Sequence, residues 1–226
     1  MKLKSFGCSF IFGSDLSDTD NYSNVSSSLT WPAQLASKLG YDYSCYARPG
    51  AGNLQILEQV LNKVNDPGLF VIGWSWIDRY DYCNQTHHQD PWKYWQTIMP
   101  IDSTDLAKTY YRDLHSEYRD KFTSLSYIKL AIDTLEQKNI PFIMTYTDDL
   151  MFDQRWNTTP AVLELQQYIQ PYMTRFNGQS FLEWSRSNGY LESNSWHPLE
   201  EAHLNAANYM IKVFDKQNTN GRWHLS

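Results

Sequence analysis

Cysteine is scarce: Cys8, Cys45 and Cys83 are the three in 226 residues. An odd, widely spaced set supplies neither a disulfide framework nor the paired spacing of a zinc site. It fits a reducing compartment, so the expected location is the cytoplasm. Long apolar runs are missing too, none approaching the roughly 20 residues of a membrane-spanning helix. The N-terminus carries Lys2 and Lys4 and then an apolar stretch, Phe6 to Phe12. That stretch is short, is broken by glycine and is followed by no small-residue cleavage site, so it reads as a first strand and not as a signal peptide. No dense Lys/Arg run occurs and the formal net charge is −6, whereas a nucleic-acid binder would carry a basic face. Gly-x-Gly-x-x-Gly and Walker patterns are absent, which weighs against a nucleotide-binding flavodoxin-like protein. Apart from a serine-rich loop there is no low-complexity segment, repeat or linker.

What is present is a chain able to bury a core, 42% hydrophobic and 15% aromatic. Its length points to a single domain over residues 1–226. Leu3 to Phe6 reads as a strand, followed by a polar loop from Ser14 to Thr30, and a helix from Pro32 to Leu39 that stops at Gly40. Tyr41 to Tyr46 alternates as a second strand. A glycine-containing turn, Ala47 to Asn53, leads into a helix to Val64, with Leu54, Leu57, Val60 and Leu61 on one face. Leu69 to Trp74 is a continuous apolar run, as in a strand buried on both faces. This alternation predicts an α/β fold with a parallel sheet. Residues 78–123, rich in Trp and Tyr, break the rhythm and read as a partly helical insertion over the sheet edge. A helix from Ser126 to Gln137, a strand from Pro141 to Tyr146, a helix from Pro160 to Ile169, a short strand from Phe181 to Trp184, a helix from Glu200 to Phe214 and a polar tail from Gln217 complete the expectation.

Ligands of open parallel sheets bind outside the carboxyl ends of the strands. Three loops lie there: Gly7 to Phe12, Arg48 to Asn53 and Gly73 to Arg79. Ser9, in a small-residue turn after the first strand, is the candidate nucleophile. Serine needs a base, and histidine is suited to that near neutral pH; His197 stands just before the last helix. Glycine turns expose backbone N–H groups suited to an oxyanion.

Together these pieces resemble the SGNH hydrolases, also called the GDSL esterase/lipase family. Gly7-Cys8-Ser9 is similar to Gly-Asp-Ser, with Cys8 in place of Asp. Pro49-Gly50-Ala51 resembles the second motif, which implies that the Gly50 N–H serves the oxyanion. Gly73-Trp74-Ser75-Trp76 falls where the family has Gly-x-Asn-Asp, so Ser75 stands at the oxyanion asparagine. His197-Pro198 resembles the end of Asp-x-x-His-Pro and makes His197 the base. The resemblance covers Lys2 to about Val213 without the insertion, and implies a three-layer α/β/α, flavodoxin-like architecture.

One departure bears on catalysis. Three residues before His197 stands Asn194, not Asp. Asn194 could orient the imidazole, as asparagine does in papain-like enzymes; Glu192, Glu200 or a carboxylate elsewhere are the alternatives. The expected activity is hydrolysis of short acyl esters or O-acetylated sugars by a Ser9–His197 dyad, with Gly50 and Ser75 at the oxyanion and no metal or organic cofactor. Asn53 caps its helix and lies close enough to the glycines to line the site. The partners are then a small-molecule or glycan ester, with no nucleic acid and no membrane. The alternative is a degenerate structural or carbohydrate-binding protein of the same fold. Small phage proteins look similar, which would place the chain in a virion among other subunits of a particle. His203 is six residues from His197, off its helical face, and neither it nor His87-His88 has metal-ligand spacing.

Overall fold

The computed structural model describes residues 1–19, 25–84 and 94–219. Four parallel strands, β1 (Lys2–Phe6), β2 (Asp42–Cys45), β3 (Leu69–Trp74) and β6 (Phe142–Tyr146), form a sheet in the order β2-β1-β3-β6. All six residues of β3 are buried, as a central strand between two helical layers requires. The period of two divides its side chains between those layers. Leu69 and Val71 join Leu3 and Ile143 beneath α2 (Trp31–Leu39), α7 (Phe181–Ser187) and α8 (Glu200–Thr219). Phe70, Ile72 and Trp74 join Phe142 and Met144 beneath α3 (Asn53–Leu61), α5 (Glu117–Gln137) and α6 (Pro160–Ile169). The architecture is α/β, as the strand and helix alternation predicts.

Local chemistry sets most of the helix ends. The Thr30 hydroxyl caps α2 with Pro32 in its first turn, and Gly40, at φ 68°, closes it in the left-handed region. Thr159 and Pro160 open α6 in the same way. Three expectations change. Phe181 to Trp184 belongs to a helix, because Ser180 and Glu183 form a reciprocal capping box at its start. The helix expected from Ser126 begins at Glu117, where Ser116 caps it, so the insertion ends sooner than residue 123. The last helix continues to Thr219, into the expected tail.

The insertion also contains strands that its composition did not reveal. β4 (Tyr80–Cys83) and β5 (Trp95–Ile98) form an antiparallel pair, followed by α4 (Asp105–Thr109) and one π-helical turn from Tyr110 to Leu114. Tyr80 stacks on Tyr110 with ring centroids 4.5 Å apart. His87, His88 and Trp92 lie outside the described residues. Asp81 fastens this pair to the body. Its buried carboxylate accepts the N–H groups of Gly52 and Gln55, each at 2.9 Å, and the Thr97 hydroxyl at 2.7 Å. Those amides are the open donors of α3, so the acceptor of its first turn is Asp81 and not Asn53. Burial pushes the Asp81 carboxyl up, against these hydrogen bonds. Among the described residues no helix is long and apolar enough to cross a membrane.

Asp81→Ala strands two buried amides and a hydroxyl and is expected to destabilise the protein by about 1–3 kcal/mol. Urea unfolding would read this as a lower midpoint at unchanged slope.

Candidate active site

β1 ends at Phe6, and the chain turns at Gly7 into the single-turn helix α1 (Ser9–Phe12). Gly7 is needed for close approach. A Cβ there would stand 2.5 Å from Ile11 Cγ1 and 2.9 Å from the Gly73 carbonyl oxygen. Ser9 is thus the first helical residue beyond a central strand, not a loop residue. Its amide lies at the end of a helix whose first N–H groups have no intrahelical acceptor. Cys8 beside it is buried in the core.

Gly13 caps α1 in the left-handed region, donating its N–H to the Ser9 carbonyl at 2.8 Å, and the chain doubles back. Asp15 follows, also left-handed at φ 70°, a conformation that aspartate adopts more readily than most residues. Leu16 buries its side chain, Glu200 accepts the Ser17 N–H at 2.8 Å, and Asp18 accepts the Ser28 N–H and hydroxyl. The expected polar loop therefore has a fixed stem.

From the far end of the chain comes a second tight loop. Ser193 donates its N–H to the His197 carbonyl at 2.9 Å and accepts the N–H groups of Ser195 and His197 on its hydroxyl. Trp196 is held at φ 63°, an uncommon state for a bulky residue. The two loops meet at His197. Its Nε2 is 2.8 Å from Ser9 Oγ, and its Nδ1 is 2.7 Å from Asp15 Oδ2. The same carboxylate oxygen accepts the hydroxyls of Ser193, at 2.8 Å, and Ser195. Burial alone would raise the Asp15 pKa; hydrogen bonds from Ser195, His197 and Ser193 outweigh it and lower the carboxyl to about 2. Phe10 packs its ring against the imidazole at 5.2 Å between centroids. A hydroxyl, an imidazole and a carboxylate are therefore in line, and such a series can pass the serine proton to nitrogen while the acid fixes the ring.

Ser9 and His197 open onto a cleft of about 560 Å³, whose wall includes Gly50, Trp76, Arg79 and Trp196. Gly50 sits at φ 79°, and a Cβ there would meet nothing within 4 Å, so the backbone conformation alone favours glycine. Three expected site residues fall elsewhere. Ser75 and Asn53 are buried behind the cleft wall, bound to each other: Asn53 Oδ1 accepts the Ser75 N–H at 2.8 Å and Nδ2 donates to the Ser75 carbonyl at 3.2 Å. With Asn53 also donating to Ser124 at 3.1 Å, its amide is committed to holding the loop after β3. Asn194 is exposed, and among the described residues no hydrogen bond joins it to His197, whose Nδ1 faces Asp15. Glu192 instead pairs with Arg186, and Glu200 holds Ser17.

Solved structures carry the same arrangement of elements. A psychrotrophic esterase, EstA from Pseudoalteromonas sp., superposes with a TM-score of 0.55 at 9% identity, over 96% of this chain and 98% of that one. The chain has the SGNH-hydrolase fold. Within that fold it is also similar to a protein assigned to the lipolytic G-D-S-L family from Desulfitobacterium hafniense (TM-score 0.50, 15% identity, 94% and 98% covered). An acetyl xylan esterase, Est2A from Butyrivibrio proteoclasticus, matches over 99% of this chain and 64% of its own length (TM-score 0.50, 14% identity). No protein-family model matches the sequence, and a search of curated proteins finds no match.

On this SGNH fold the sequence reading misses Asp15, Ser193 and Ser195. Asp15 lies six residues after Ser9, and the only signal for it is the Gly13-Ser14 turn that folds the chain back. His203 is buried in α8, where its Nδ1 accepts the Trp31 N–H at 3.0 Å, and burial lowers its pKa to about 3. It ties α8 to α2. Among the described residues no group of three or more His, Cys, Asp or Glu could hold a metal ion.

Because the folded Asp15 carboxyl titrates below its ordinary value of 3.8, the stability it contributes is complete above about pH 4 and is lost as pH falls toward 2. Asp15→Asn is expected to flatten this part of the stability profile, measured by urea unfolding between pH 5 and 2.

Proposed function

We propose that the chain is a serine ester hydrolase acting on short acyl esters, with Ser9 as nucleophile, His197 as base and Asp15 as the acid that orients it. The contacts that carry this reading are the 2.8 Å Ser9–His197 and 2.7 Å His197–Asp15 hydrogen bonds. Ser9 Oγ attacks the ester carbonyl as His197 Nε2 takes its proton. Asp15 keeps the Nδ1 proton in place and stabilises the imidazolium. The Ser9 and Gly50 N–H groups hold the oxyanion. The imidazolium protonates the departing alcohol, and water then cleaves the acyl-enzyme with His197 again as base. No metal or organic cofactor enters these steps. Acetyl groups on a glycan are the favoured substrate: Trp76 and the exposed Trp196 give the cleft aromatic walls, and Est2A, of the same fold, is an acetyl xylan esterase.

A second reading, a binding protein of the same fold, is favoured by Ser75. Its buried hydroxyl stands away from the cleft, leaving the oxyanion without a side-chain donor from that loop. Loss of one such donor costs about 10²–10³ in rate, which leaves a slow enzyme under the first reading and none under the second.

Hydrolysis of p-nitrophenyl acetate separates the two. Ser9→Ala should abolish turnover and labelling by a fluorophosphonate probe; equal rates for wild type and Ser9→Ala would end the esterase reading. Asp15→Ala should lower kcat on the order of 10⁴-fold. Asn194→Ala should change it by no more than about twofold, as for an exposed residue without a partner in the site. The reverse order would return the orienting role to Asn194.

A further inference from the structure

The cleft holds a cation that neither the catalytic series nor the core uses. Arg79 lies in the loop between β3 and β4, with its guanidinium 4.7 Å from the centre of the Trp76 ring. Nη1 donates to the Ala51 carbonyl at 3.0 Å. Among the described residues it makes no other hydrogen bond and no ion pair. The second arginine of the cleft differs, since Arg186 is held in a two-bond pair with Glu192 at 2.7 and 3.0 Å. Arg79 is thus oriented by a ring face and one carbonyl; among the described residues its Nε and Nη2 edge has no hydrogen-bond partner, and its charge is felt by the nearby Asp78 and Asp81 carboxyls, which burial raises and which it lowers without bonding them. A fixed fork of this kind matches a carboxylate bidentately. Its anchor, Ala51, adjoins Gly50, so the fork stands one residue from the proposed oxyanion donor.

We propose that Arg79 forms a carboxylate-binding subsite, and that the ester taken by this cleft is an O-acylated acidic sugar. The assignment relies on the esterase reading for the position of the acyl bond, while the anion subsite stands on Arg79 itself. A monoanion fits better than a phosphate. Asp78 also lines the cleft; burial and then Asp148 raise its carboxyl while Arg79 lowers it, so a single arginine with a carboxyl beside it balances one negative charge better than two. The exposed indole of Trp196, 69% accessible on the same cleft, offers the flat apolar face against which a sugar ring packs.

Binding can be measured without turnover. Ser9→Ala protein is titrated by calorimetry with tri-galacturonate, with galactotriose as the neutral counterpart and with glucose 6-phosphate. The acidic trisaccharide is expected to bind at least about tenfold more tightly than the neutral one. About 0.5 M NaCl should shrink that difference. Adding Arg79→Gln, which keeps a donor for the Ala51 carbonyl, should erase it, whereas Arg79→Lys should retain part of it. Unchanged melting temperatures would show that the variants remain folded. Equal affinities, no binding by either sugar, or a preference that survives Arg79→Gln would overturn the subsite, and tighter binding of glucose 6-phosphate than of tri-galacturonate would overturn its carboxylate class. A protein that binds the acidic sugar but hydrolyses no ester keeps the subsite and loses the esterase reading. One that cleaves esters with no preference for acid does the opposite.

Discussion

A single carboxylate oxygen, Asp15 Oδ2, holds the two ends of the described chain together. It receives the imidazole of His197 and the hydroxyls of Ser193 and Ser195, all from one loop about 180 residues away. Without it, the loop before α8 loses its carboxylate anchor on the loop after α1, and Nδ1 of the imidazole keeps only the Ser195 hydroxyl, at 3.1 Å. Three donors on one oxygen also explain why the carboxyl stays ionised despite its partial burial. Two left-handed residues, Asp15 and Trp196, flank the meeting point. Such conformations persist where surrounding bonds over-determine them, and here the Ser193 hydroxyl does so for the histidine loop, bonding Asp15 and the N–H groups of Ser195 and His197.

The sheet supplies the platform. β1 and β3 are its inner strands, so the segments following them emerge side by side at its middle. One carries Ser9; the other carries Ser75, locked to Asn53, and then Trp76 and Arg79 on the cleft wall. The loop before α3 brings Gly50. That loop is restrained from both sides, by the Asn53–Ser75 bonds and by Asp81 of the insertion. The insertion is therefore part of what shapes the cleft, and Arg79 extends the connection through its bond to Ala51.

Legibility followed the physics of each element. The strands at Leu69–Trp74 and Phe142–Tyr146 stood out because strands buried on both faces must be apolar throughout. The helix from Pro32 stood out because its proline start and Gly40 stop are local signals; the Thr30 and Thr159 caps are equally local. Ser180-Phe181-Leu182-Glu183 carried an equally local capping box, but its short apolar run resembles a strand until the box is noticed. Ser9, Gly50 and His197 were legible as positions next to predicted element ends. Asp15 was not, because its role depends on a left-handed turn and on a loop far along the chain; among the acids of a polar segment nothing local marks it. Asn53 and Ser75 were misplaced for a related reason. Asn53 stands close to the glycines and Ser75 falls at the family's asparagine position, but the direction of each side chain depends on the hydrogen bonds between them.

The distance along the chain between Ser9 and His197 also sets an order of events during synthesis. All four strands of the parallel sheet leave the ribosome before the histidine loop does, so the long-range contact at Asp15 becomes available only after them. Until α8 docks against α2, with His203 receiving the Trp31 amide, the serine has no imidazole beside it. A nascent chain would thus hold an unarmed hydroxyl, and the polar constellation would be completed only as the fold itself is sealed.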